Sequence, residues 1–332
     1  METRGSGITL GRVTAIVLNI ALISLGIFVL FNQQWTVDEI GLVGYRPSAA
    51  VVSLAHNTTM TPLAERYFYV SHPTIDERST FAKDCGNNDE KTIILGCYNG
   101  RNIYVFDVND PRLPDVKEVT AAHEMLHAAY TRLSSSDKAN VNRMVEAALK
   151  TIDDKHVKDL IDAYNRTEPG QLDNEMHSIL GTEVGKLPPD LEAYYSRYFT
   201  DRSKVVSYAQ HYQAVFTDLQ NQQESLLGDL NSLADKINSQ TTKLNDQLSQ
   251  FNSDVTAFNT KAESGGFATQ DEFNTARAGL VARQQQLQTE RDGIQSLIDE
   301  YDAKRQELQD LNFEASSLER SINSQLPAVP SV

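Results

Sequence analysis

The sequence predicts an α+β domain set between an N-terminal transmembrane helix and a long antiparallel α-helical coiled-coil hairpin. Three observations predict it. An uncharged apolar run covers residues 13–31, strand-like runs give way to helical periodicity between residues 63 and 202, and apolar residues then recur every seven positions as far as Ile322. A chain of 332 residues is long enough for two domains and a sizeable core. The formal charge is −15 and no basic run occurs, which argues against nucleic acid as a partner.

The run "VTAIVLNIALISLGIFVLF", residues 13–31, has no charged residue and is just long enough at helical rise to cross a bilayer. The following "FNQQWTVDE" offers no small-residue cleavage site, which favours a retained anchor over a removed signal peptide. Arg4 and Arg12 precede the run, and Asp38 and Glu39 are the first charges after it. That asymmetry predicts a single-pass protein with residues 1–12 as a cytoplasmic tail and the chain beyond Phe31 extracytoplasmic. The only two cysteines, Cys85 and Cys97, then lie outside the reducing compartment and are expected to form one disulfide.

Residues 32–62 read as a linker. Within 63–202, "TIILGCY" and "NIYVFDV" read as strands, the second as an edge strand open to a peptide by β-addition. "NDPRLP" breaks the chain before a helix starting near Asp115. Val119, Ala122, Met125, Leu126 and Ala129 form its apolar stripe, and "SSSD" at Ser134–Asp137 ends it. Two further helices cover roughly 137–152 and 155–165. "LDNEMHSILG" is a short helix closed by Gly181, and the pair Pro188–Pro189 opens what reads as a long helix.

The first of these helices carries H-E-x-x-H as His123, Glu124 and His127. Residues i and i+4 share a helix face, so both imidazoles can reach one Zn²⁺. Glu124 adjoins the first histidine, where a carboxylate can take a proton from an attacking water and pass it to the leaving amine. Tyr130 and Leu133 stand where the longer H-E-x-x-H-x-x-G-x-x-H form has its Gly and last His.

Farther on, "NEMHSI", residues 174–179, reproduces N-E-x-x-S, with Ile179 in the place of a following Asp. The two motifs together resemble the gluzincin branch of the zincin metallopeptidases. The resemblance implies a zincin-like metallopeptidase domain over 63–202, Zn²⁺ as cofactor, Glu175 as third ligand and Glu124 as general base. It also implies a peptide or protein substrate. Without the family's Asp, the partner of one zinc histidine is unassigned. Glu183 is a rival ligand. His177, two residues from Glu175, faces elsewhere and reads either as a substrate hydrogen-bond donor or as a surface histidine. Tyr194 and Tyr195 read as core or as oxyanion donors.

From 203 the composition turns to Gln, Asn, Ser, Leu, Asp and Lys. Phe273, Leu280, Leu287, Ile294, Tyr301, Leu308, Ala315 and Ile322 fall seven apart. Leu244, Leu248, Phe251, Val255 and Phe258 keep the four-three spacing upstream. Gly265 and Gly266 mark a tip, so residues 203–325 read as a hairpin and 326–332 as a flexible tail. Such a hairpin suits recruitment of a cell-envelope protein. The rival function is a non-catalytic envelope scaffold acting through this coiled coil, with the metal site a relic or structural.

Overall fold

The computed structural model describes residues 10–85, 94–167 and 170–326. The chain divides into two units, residues 1–213 with 320–332, and residues 214–319.

The first unit begins with α1 (Leu10–Phe31), α2 (Gln33–Leu42), α3 (Ala49–Asn57) and α4 (Pro62–Val70). Then come β1 (Thr74–Asp76), α5 (Arg78–Cys85), β2 (Gly96–Tyr98) and β3 (Ile103–Phe106). The rest is helical: α6 (Val116–Thr131), α7 (Ser135–Leu149), α8 (Lys155–Thr167), α9 (Leu172–Thr182), α10 (Pro189–Tyr195) and the start of α11 (Arg202–Glu263). Among the described residues the strands are only three or four residues long. They form one sheet of order β1-β3-β2, with β1 parallel and β2 antiparallel to β3. The expected α+β, zincin-like fold is therefore corrected to a mainly helical unit with a small sheet. Each strand-like run contains a strand shorter than the run, and Thr92 and Ile93 of the first run lie outside the described residues. Asn99 Oδ1 accepts the backbone N–H groups of Arg101 and Asn102, closing the β2–β3 turn. The segment "NIYVFDV", expected at an edge, supplies the central strand, and β2 takes the edge.

The expected transmembrane helix is corrected as well. Among the described residues no single helix is long and apolar enough to cross a membrane. The chain bends by 94° between Val17–Phe31 and Gln33–Leu42, and only this bent pair passes together, by length and composition. The bend comes at Asn32, and the apolar run lies wholly within α1. Its large apolar side chains, from Val17 through Phe31, are exposed.

Residues 32–62, expected as a linker, include α2 and α3, and Val51, Leu54 and Ala55 join the main core. Ser48 and Thr61 cap α3 and α4 through their hydroxyls. The long helix expected from Pro188 stops at Tyr195. Residues 198–200 instead pair with residues 59–61: Thr61 N–H donates to Tyr198 O at 2.9 Å and Thr200 N–H to Thr59 O at 2.9 Å. The chain resumes as helix at Arg202.

Helix α6 is the centre of this unit. Val119, Ala121, Ala122, Met125, Leu126, Ala128 and Ala129 are all buried, so it meets protein on nearly every side. Its C-terminal Arg132 makes a bidentate pair with Asp38 of α2, at 3.0 and 2.9 Å, with both side chains at most 7% exposed. Helix α9 packs along α6. Gly181, expected to end α9, lies inside it, and a β-carbon there would come 2.4 Å from Leu126 Cδ1 and 2.8 Å from Tyr195 Cε1. Its role is close packing of α9 against α6, not termination.

The second unit holds most of α11 and of α12 (Gln270–Ile322). Partners from Asp229–Lys304 through Gln247–Glu290 and Asp254–Arg283 to Lys261–Glu272 fall in number along α12 as they rise along α11, so the helices run antiparallel. Leu244, Leu287 and Ile294 form a buried cluster with Ile237, Phe251 and Ile298 at its margin. Gly265 has φ +67°, the left-handed conformation that the turn between the helices needs.

Candidate metal centre

His123 and His127 lie one turn apart on α6, with ring centroids 4.7 Å apart. Glu175 stands in the first turn of α9, where the helix dipole favours an acidic residue. The α6–α9 packing brings the three together. Glu175 Oε2 lies 3.5 Å from His123 Nε2, and Glu175 Oε1 lies 3.5 Å from His127 Nε2. One ligand atom from each residue falls within 4.8 Å of the others, so this group can hold a metal ion.

The donor set fits a metal. Bonds of about 2.0–2.2 Å in a tetrahedron put neighbouring ligand atoms about 3.4 Å apart. Each Glu175 oxygen stands 3.5 Å from a different imidazole nitrogen, close to that edge length, so either oxygen can serve as the carboxylate ligand. Two imidazoles and a carboxylate also leave a fourth position without a protein ligand among the described residues.

The group forms a tight electrostatic unit. Burial opposes the charged form of His123, but its hydrogen bond to Glu175 and the charges of Glu124, Glu175 and Glu183 raise it to about 9. Burial likewise opposes the charged form of Glu175, yet His127 and His123 bring it down to about 2, helped by a hydrogen bond from Tyr164 of α8. His127 is pushed below its ordinary value by burial, against the pull of Glu175. Its outer nitrogen, Nδ1, is 3.3 Å from Ser178 Oγ. Ser178, the S of N-E-x-x-S, thus supplies the neighbour of a site histidine that the missing Asp left unassigned. Glu124, between the two histidines in sequence, is 5% exposed.

The other candidates lie elsewhere. Glu183 Oε2 is 3.2 Å from His156 Nε2 and accepts from Gln213 Nε2 at 2.7 Å, so its carboxylate is engaged outside the triad. That hydrogen bond also raises His156 above its ordinary value, against burial. His177 is fully buried, with Nε2 2.9 Å from Tyr194 Oη, and burial lowers it to about 3. It is neither a surface histidine nor placed to meet a substrate. Tyr194 and Tyr195 are core residues whose phenols burial drives upward, and Tyr195 Oη donates to His177 O at 2.6 Å. Cys85 and Cys97 stand at disulfide distance, with sulfurs 2.00 Å and Cα atoms 6.0 Å apart.

Two neighbours were not anticipated. Tyr164 has no motif to announce it. Gly96 does carry a signal, since a glycine inside a strand run marks close backbone approach. A β-carbon at Gly96 would lie 2.8 Å from Glu124 Oε1.

No family model, curated protein or solved structure matches this chain.

Proposed function

We propose that this protein is a zinc-dependent hydrolase that cleaves peptide bonds, with His123, His127 and Glu175 holding Zn²⁺ and Glu124 acting as general base. The observation that carries the reading is the convergence of the Glu175 carboxylate on both histidines of H-E-x-x-H. Two imidazoles and one carboxylate with an open position suit both Zn²⁺ and non-haem Fe(II), and the helical H-E-x-x-H with Glu124 beside the first ligand is what favours zinc. When bound, it polarises a water and a carbonyl oxygen as a Lewis acid.

The chain's own residues supply the rest. Glu175 brings the negative charge that offsets the metal and fixes it between two helices. Ser178 orients the His127 ring through Nδ1. Glu124 takes the proton from the attacking water, and the same carboxyl then gives it to the leaving amine. A purely structural metal site has no need of Glu124, and it closes all four positions with protein ligands. The edge strand β2, which packs against α6, is the segment we assign to an extended peptide substrate.

The reading includes a location outside the reducing cytoplasm, supported by the paired cysteines. It also includes attachment to a lipid surface through the exposed apolar residues of α1, and a protein partner for the helical hairpin of the second unit.

The test is Glu124→Gln. The zinc-loaded wild type should cleave unstructured peptides, and the variant should keep its zinc while turnover drops at least about 10²-fold. Equal turnover in both proteins would remove Glu124 from the chemistry. No turnover of any peptide in a library would end the peptidase reading.

A further inference from the structure

Gly96 is the first residue of β2, and the side it turns toward α6 has no room for a side chain. A β-carbon there would stand 2.8 Å from both Cγ and Oε1 of Glu124 and 2.5 Å from Cγ2 of Thr120. The bare backbone of β2 is therefore a wall that leaves no room for a side chain beside the carboxylate, and packing this close limits the rotamers open to Glu124.

A wall is useful only if it stays in place. The β2–β3 ladder covers three residues, with Gly96 opposite Val105, Cys97 opposite Tyr104 and Tyr98 opposite Ile103. Cys97 adds a covalent tie to Cys85 at the end of α5. Helix α5 is itself fixed at two other points. The Phe81 ring lies 5.4 Å from that of Phe106 on β3. The Arg78 guanidinium donates to the carbonyls of Arg320, Asn323 and Leu326, at 2.7 Å to Arg320 and 2.8 Å to Leu326. The cysteine bond thus connects β2 to an anchored helix, one residue from the contact with Glu124.

We propose that Gly96 is a positioning residue for Glu124, and that the Cys85–Cys97 bond holds β2 where this contact is made. The inference rests on the proposed hydrolase reading, and it assigns to β2 a task separate from metal binding. The three atoms nearest the added β-carbon belong to Thr120 and Glu124, not to a metal-holding residue. Disturbing β2 should therefore change the chemistry and not the metal. Misplacing a reacting group by about 1 Å costs on the order of 10²-fold in rate.

Three variants test it, with metal content, kinetics and hydrogen exchange as readouts. In Gly96→Ala, kcat for peptide hydrolysis should fall about 10²-fold while KM and the zinc content stay at wild-type values. Adding Thr120→Ser removes the Cγ2 clash and keeps the hydroxyl that bonds Val116 O. The double variant should recover thermal stability and not kcat. Recovery of kcat would mean that Gly96 serves packing alone, and an unchanged kcat in Gly96→Ala would overturn the proposal outright. In the third variant, with Cys85 and Cys97 both replaced by Ser, zinc should stay bound, kcat should fall, and amides of residues 116–131 should exchange faster. Unaltered kcat and exchange there would refute the role of the bond. Were the wild type to cleave no peptide, the hydrolase reading would fall and the positioning claim would still be read by crystallography. The Glu124 carboxylate should be displaced in Gly96→Ala, and an unmoved carboxylate would overturn it.

Discussion

Glu175 Oε1 lies 3.5 Å from His127 Nε2, across the contact between two helices whose motifs are far apart in sequence. This relationship makes the H-E-x-x-H and N-E-x-x-S stretches one site. It also predicts how the site responds to pH, to mutation and to metal.

The pH response follows from His123. Its proton is held to about pH 9, well above the ordinary 6.5, by the Glu175 hydrogen bond and the surrounding carboxylates acting against burial. A metal must displace that proton, so apparent zinc affinity should rise by roughly tenfold per pH unit as pH climbs toward 9 and then level off. In the chelated protein the sign is opposite. A raised histidine stabilises the fold fully below about 6.5, and that stability is lost as pH rises through about 9. Melting curves between pH 6.5 and 9.5 should show the chelated protein losing Tm while the zinc-loaded protein holds it. A flat profile for the chelated protein would contradict the His123–Glu175 pair.

Glu175→Gln removes the charge and keeps the shape. It should abolish stoichiometric zinc binding in equilibrium dialysis, whereas Glu183→Gln should leave it intact. Glu183 is already engaged by His156 and Gln213. Loss of zinc in the second variant only would reverse the assignment.

Arg132 and Asp38 form a buried, doubly hydrogen-bonded pair that joins α2 to the end of α6. Removing one partner strands the other charge, so Asp38→Ala should cost about 3–5 kcal/mol in urea denaturation. Replacing both with leucine should recover most of that loss. A single-variant cost below about 1 kcal/mol would show that the pair is solvated and that α2 is not part of the core.

Gly181→Ala tests the approach of α9 to α6. The added methyl meets Leu126 and Tyr195, and overpacking of this kind costs about 1–3 kcal/mol. A further Leu126→Ala substitution makes room at one of the two contacts, so the pair should be less destabilised than the sum of the single changes. Strict additivity in thermal melts would contradict the contact.

Much of the candidate site was legible because its logic is local. The spacing of His123 and His127 needs only a helix, and the apolar stripe from Val119 to Ala129 provides one. N-E-x-x-S named Glu175 before any contact was known. The heptad series and Gly265 likewise outlined α11, α12 and the turn between them. What was hidden depends on tertiary contact. The central place of β3 is set by its pairing with residues 74–76. Gly181 in sequence cannot be told from a helix terminator, because its reason is the Leu126 and Tyr195 side chains opposite. The break after Tyr195 comes from pairing with residues 59–61, far away in the chain. The 94° bend after Phe31 falls where the apolar run ends, and composition carries no signal for it.

The central claim is that His123, His127 and Glu175 hold one catalytic metal, and zinc content per chain tests it most directly. Protein stripped with a chelator, reloaded with Zn²⁺ and desalted should carry one zinc per chain by elemental mass spectrometry. The His123→Ala, His127→Ala and Glu175→Ala proteins, confirmed as folded, should carry none. Wild-type protein without zinc, or folded single variants that each still retain one zinc per chain, would contradict the account.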